Sequence, residues 1–164
     1  MKYRSSLLVV LFLGLVPCLH ANEAVVVAPN SSKETTIPTV PVDPKDLQNA
    51  LTVMNRFLDS VTAGDFESCY DLAGAVVKAR ISRDKWIKQL AAGVTAMGPR
   101  AHGEFVAAIE TTSMLNGPPG KYISVALLTE FPGSKFMETI VLVDEDGNWH
   151  VVGYLHQRAE SGAS

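Results

Sequence analysis

The hydrophobic period of the chain changes once, at Gly98-Pro99, and that change decides its fold class. Before it, apolar residues recur at helical spacing. After it, β-rich runs alternate with short turn sequences. Asp43 suits an N-cap and Pro44 the first helical position, with Asp46 adding negative charge to the first turn. Leu47, Ala50, Leu51, Met54, Phe57, Leu58 and Val61 then mark one face of a helix over Pro44–Thr62, which Gly64 stops. Asp65 can cap a second helix carrying Cys69, Tyr70, Leu72, Ala73 and Val76. Ser82 can cap a third, with Trp86, Leu90, Val94 and Met97 in one stripe.

Four strands are expected beyond Pro99: His102–Leu115, Lys121–Phe131, Phe136–Asp144 and Asn148–Gln157. The turns between them are Asn116-Gly117-Pro118-Pro119-Gly120, Pro132-Gly133-Ser134-Lys135 and Glu145-Asp146-Gly147. Short loops imply an antiparallel meander. N-terminal helices packed on a four-stranded antiparallel sheet make an α+β fold, and a sheet bent around its helices leaves a pocket.

The first residues carry a different message. Lys2 and Arg4 precede an apolar run from Leu7 to Val16, and Leu19-His20-Ala21 ends in a small residue. That is the layout of a secretory signal, with cleavage expected near Ala21. Lipidation at Cys18 is the lesser alternative, because the rigid Pro17 precedes it. The run is too short to span a bilayer, so no transmembrane span is expected. Residues 22–42 hold Pro29, Pro38 and Pro41 among Ser and Thr and read as a flexible linker, with an edge strand at Ala24–Val27 as the alternative. Residues 43–158 make the domain and 159–164 a disordered tail.

Removing the signal also changes the charge. The chain of 164 residues has 14 basic and 17 acidic residues, a formal net of −3. Without Lys2 and Arg4, 12 basic residues face 17 acidic ones, a net of −5. Such a balance argues against nucleic acid as a partner. Of two cysteines only Cys69 remains, so no internal disulfide can form, and a buried, inert thiol is the favoured reading.

The segment from Phe57 to Gln157 resembles a bacterial family known as domain of unknown function 4019. The matching residues are Phe57-Leu58, Gly64-Asp65-Phe66, Ile81-Ser82 and Trp86. Gly98, Pro119-Gly120-Lys121-Tyr122, Phe131, Glu138-Thr139 and the block from Asp146 to Tyr154 continue it. The resemblance implies an exported protein with a cystatin-like cone, a curved sheet around helices, of the nuclear transport factor 2-like superfamily. It implies no activity, because fold does not dictate function. There are two departures. The family often has Trp in the second helix, where this chain has Cys69-Tyr70. It often has Arg shortly after the glycine of the helix-to-strand turn, where this chain has Arg100 and His102-Gly103.

Register arguments single out Glu138. The Pro132–Lys135 hairpin pairs Phe131 with Phe136 and sets Thr129 opposite Glu138. A two-residue Asp146-Gly147 loop sets Leu155 opposite Glu138; a three-residue loop sets Tyr154 there. The second register is preferred. It puts Glu138, Ile140 and Leu142 on one face with Tyr154, Val152 and His150, and Trp149, Val151 and Leu155 on the other. Glu138 then sits among apolar neighbours beside a phenol. A desolvated carboxyl with a raised pKa would suit acid–base catalysis. The favoured alternative is structural, a carboxylate near a strand start that reaches solvent and accepts a hydrogen bond from Tyr154.

Glu138, Tyr154, Trp86 and His102 are the candidate pocket residues. Trp86 at helical spacing reads better as core than as a stacking platform. His150 and His156 share a face but lie about 20 Å apart. With no HExxH and no CxxC, neither a metal nor a cofactor is expected. Arg80, Arg83, Lys85 and Lys88 read as a solvated helix face rather than an anion site. Three functions follow, in order of preference. The first is a non-catalytic module that binds a small ligand or a protein. The second is a small acid–base enzyme (isomerase, dehydratase or hydrolase type). The third is an envelope-associated protein that forms a homodimer through its sheet face.

Overall fold

A computed structural model describes residues 42–114 and 117–159. The expected signal, the linker up to residue 41 and the tail from residue 160 lie outside the described residues. Val42, the last residue of the expected linker, packs against the core.

Helix α1 spans Pro44–Ala63. Asp43 Oδ1 accepts from the Lys45 and Asp46 amides at 2.9 and 3.2 Å, satisfying two of the first turn's free donors. Gly64 ends the helix at φ 73°, a left-handed conformation that suits a residue without a Cβ. Ala50, Met54, Phe57, Leu58 and Val61 are buried along one face.

The second helix is shorter than its apolar spacing suggests. Asp65 caps it through the Ser68 amide, and α2 covers only Phe66–Asp71. Its expected continuation to Val76 is corrected by a competing backbone partner. Gly74 N–H donates to Val151 O at 3.0 Å and Val151 N–H to Leu72 O at 2.9 Å, so this stretch lies along a strand instead. Gly74 is required there: a Cβ would stand 2.9 Å from both Glu145 Oε1 and Val152 Cγ1. One further turn, α3 (Ala75–Lys78), follows, its Ala75 amide donating to Glu145 Oε1 at 2.8 Å. Helix α4 spans Arg83–Met97 and buries Trp86 and Leu90. Ser82 occupies its N-cap position, but the hydroxyl makes no capping bond.

Strands β1 (Gly103–Thr111), β2 (Tyr122–Phe131), β3 (Ser134–Glu145) and β4 (Asn148–Arg158) form one antiparallel sheet in the order β1-β2-β3-β4. The α+β class and the meander are as expected. The first strand stops at Thr111, short of the expected Leu115, a position outside the described residues.

Both hairpin registers are corrected. Pro132-Gly133 is a two-residue turn, with Gly133 at φ 75°, so Phe131 pairs with Ser134 and Leu127 with Glu138. The slip is two residues, which preserves the faces. Asp146-Gly147 is also a two-residue turn, both residues at positive φ. A bulge in β4 then skips Val152: Leu142 pairs with Val151, but Val141 pairs with Gly153. Beyond the bulge Tyr154 faces Ile140 and His156 faces Glu138. The extra residue reverses the alternation of β4. The two-residue turn already sets Trp149 and Val151 on the face of Leu142, rather than the opposite face, and the bulge brings Tyr154 and His156 onto it as well. His150 and His156 fall on different faces, and only His156 is buried.

The core lies between α1, α4 and this face of the sheet. Phe57 meets Tyr154 edge-on at 5.3 Å between ring centroids and Trp86 at 6.4 Å; Trp86 meets Tyr70 at 5.6 Å. Such edge contacts add to area burial.

Candidate functional site

Glu138 stands at the centre of a buried polar cluster built from three strands and one loop. Its pairing partner on β4, His156, and its two neighbours on β2 and β4, Thr129 and Tyr154, are buried with it. Arg100 enters from the loop that follows α4. Gly98 turns that loop at φ 82°, and the Ala101 amide donates to Glu130 O at 3.0 Å, pinning it to the end of β2.

Every oxygen of the carboxylate is occupied. Arg100 Nε lies 3.0 Å from Oε1 and 2.9 Å from Oε2, and Nη2 lies 2.8 Å from Oε2. Thr129 Oγ1 donates to Oε2 at 2.5 Å and the Tyr154 hydroxyl to Oε1 at 2.6 Å. His156 Nε2 lies 3.3 Å from Oε1. Facing a carboxylate, Nε2 acts as the donor of that pair. Nδ1 has no hydrogen-bond partner among the described residues. The edges of Phe131, Phe136 and Tyr154 surround the imidazole, with centroids at 5.9, 6.5 and 4.3 Å.

The space for Arg100 comes from Gly103. A Cβ there would stand 2.5 Å from Thr129 Oγ1 and 2.8 Å from Arg100 Nη2. One missing methyl thus lets two donors converge on Glu138.

The hydrogen bond from Tyr154 is the one that the structural reading expects, and the raised pKa of the catalytic alternative is absent. Burial pushes the Glu138 carboxyl up, but hydrogen bonds from His156, Arg100, Thr129 and Tyr154 outweigh it and lower the value to about 2. Burial, followed by the nearby Glu138 charge, holds the Tyr154 phenol well above its ordinary range. The side chain of Glu138 is 0% exposed, so the expected route to solvent is absent. A carboxylate with these properties orders its neighbours and keeps its charge near neutral pH.

The four candidates separate. Glu138 and Tyr154 are brought together. Trp86 is buried but belongs to the aromatic core, joined to Tyr154 through Phe57. His102 is exposed and joins none of the Glu138 contacts. Arg100, Thr129 and His156 complete the site and were not among the candidates. A signal existed for Arg100, the basic residue just past Gly98-Pro99. For His156 the signal was alternation itself, since the preferred register sets it with His150 and Tyr154 on the face of Glu138.

The basic face of α4 is only partly what its spacing suggests. Arg83 pairs with Glu67 and Asp71 and lies 4.9 Å from the centroid of Tyr70. Against Val76, Val77, Met114 and Tyr122 lies a cavity of about 10 Å³, room for one water.

A family model described as protein of unknown function (DUF4019) matches residues 54–154. The match includes Arg100, Thr129, Glu138 and Tyr154 and ends two residues before His156. No curated protein and no solved structure matches the chain.

Proposed function

The chain belongs to the DUF4019 family, and from that premise we propose that it is an exported, non-catalytic module that binds a small ligand or a protein. One observation carries this reading. The residue best suited to acid–base work, Glu138, is enclosed and held by Arg100 on both oxygens. A general base must reach its substrate and have a pKa near the working pH. Glu138 has neither property, which counts against the isomerase, dehydratase or hydrolase reading.

Export rests on the positive start, short apolar run and small residue at Ala21. The cone of the nuclear transport factor 2-like superfamily is our reading of helices packed on one meander sheet. The open edge at β1, with Phe105, Val106 and Ile109 exposed, supports binding by surface contact.

Native mass spectrometry of the protein collected from outside the cytoplasm tests both parts. The chain should begin near Asn22 and carry a bound mass or a protein partner. A chain that retains Met1 overturns export, and an empty, solitary chain overturns the binding module.

A further inference from the structure

Beside the β2–β3 turn the surface folds into an open recess of about 620 Å³, lined by Leu128, Phe131, Ser134, Lys135 and Arg158 among others. That volume falls in the range of about 300–1,000 Å³ typical of small-molecule sites. Arg158 gives the recess its chemistry. Its Nη2 donates to Ser134 Oγ at 2.6 Å, and its Cζ lies 5.9 Å from the centroid of Phe136. No carboxylate pairs with it among the described residues. A guanidinium has five N–H donors, and the hydroxyl uses one. Lys135 is already paired with Glu130 at 2.7 Å. The three charges at the rim therefore sum to one positive charge, on a chain whose net charge is −3. Phe131, on the same sheet face as Ser134 and Arg158, supplies an apolar wall next to that charge.

We propose that this recess binds a small organic carboxylate, its head on Arg158 and its apolar body against Phe131. The inference rests on the binding-module reading and names the ligand class. A planar carboxylate accepts two parallel N–H bonds from a guanidinium, which a neutral amide cannot match. Ser134 already orients the guanidinium, so binding spends less side-chain entropy.

The test is an amide NMR titration of the exported protein with sodium benzoate, with benzamide and inorganic phosphate as controls, repeated on Arg158→Gln. Benzoate should move the Lys135 and Ala159 amides to saturation, with benzamide at least tenfold weaker and Arg158→Gln equally impaired. No response to benzoate, an equal response to benzamide or phosphate, or an unchanged response in Arg158→Gln would overturn the proposal. A bound mass that survives Arg158→Gln in native mass spectrometry removes this recess as its site but preserves the module. Absence of both a bound mass and a benzoate response removes both.

Discussion

Arg100 holds Glu138 by both oxygens, with Nε 3.0 Å from one and 2.9 Å from the other, in a site where Glu138 is fully enclosed. Breaking a buried pair by removing one partner is costly, because the other charge is left behind. Glu138→Gln should therefore lose about 3 kcal/mol in urea unfolding. Glu138→Gln and Arg100→Gln together should cost less than the sum of the singles, by about 0.5–3 kcal/mol. Strict additivity would show that the two side chains do not depend on each other.

The same carboxylate sets an acid limit. Its folded pKa of about 2 lies below the ordinary 4.5. The sign follows from linkage: a lowered carboxyl stabilises the fold above its unfolded pKa, and the benefit is lost as pH falls through the folded one. The loss should run from about pH 4.5 down to about pH 2 and reach about 3 kcal/mol. Denaturant unfolding across that range should show this slope in the natural protein and a flatter one in Glu138→Gln. Equal slopes would assign the acid sensitivity to other carboxyls, such as the surface Asp65 and Glu130, whose values are also lowered.

The parts of the fold legible in the sequence are those written by local chemistry. Asp43-Pro44 and Gly64 bracket α1 because capping and positive φ are properties of single residues. The four strands were readable from alternation and turns. What was not readable depends on contacts between distant segments. Gly74 gives up a helix because Val151 offers its backbone, seventy-seven positions away. Val152 is one extra residue in an otherwise regular strand, and nothing in its type marks a bulge. That bulge offsets the shorter turn, so Tyr154 and His156 keep the face of Glu138 that alternation gives them. Trp149 and Val151 precede it and do not lie where alternation sets them. Arg100 lies in a loop, where no periodicity indicates direction.

Cys69 should be chemically silent in the folded protein. Its Sγ lies 3.7 Å from Phe57 O with the residue fully buried. Burial, with the charge of Asp65 adding to it, pushes the thiol up to about 12. The thiolate is the reactive form, and so little of it exists at mildly alkaline pH that alkylation has no foothold. Iodoacetamide should leave the Cys69 peptide unmodified in buffer and label it fully in concentrated guanidinium. Rapid labelling of that peptide in buffer would mean that α2 opens readily from α1.

Gly103 and Gly64 should respond to alanine in different ways. At Gly64 nothing lies within 4 Å of a Cβ, but φ is 73°. Gly64→Ala therefore costs about 1–2 kcal/mol through left-handed backbone strain alone. At Gly103 the new methyl would meet Thr129 Oγ1 at 2.5 Å and Arg100 Nη2 at 2.8 Å. Overpacking of this kind costs about 1–3 kcal/mol. The two losses overlap in size, so the pH profile separates them. Gly103→Ala displaces two donors that lower the Glu138 pKa and should flatten the acid slope of stability. Gly64→Ala leaves them in place and should lower the whole curve without changing its shape. An unaltered slope in Gly103→Ala would mean that Arg100 and Thr129 reach Glu138 without the room that Gly103 leaves.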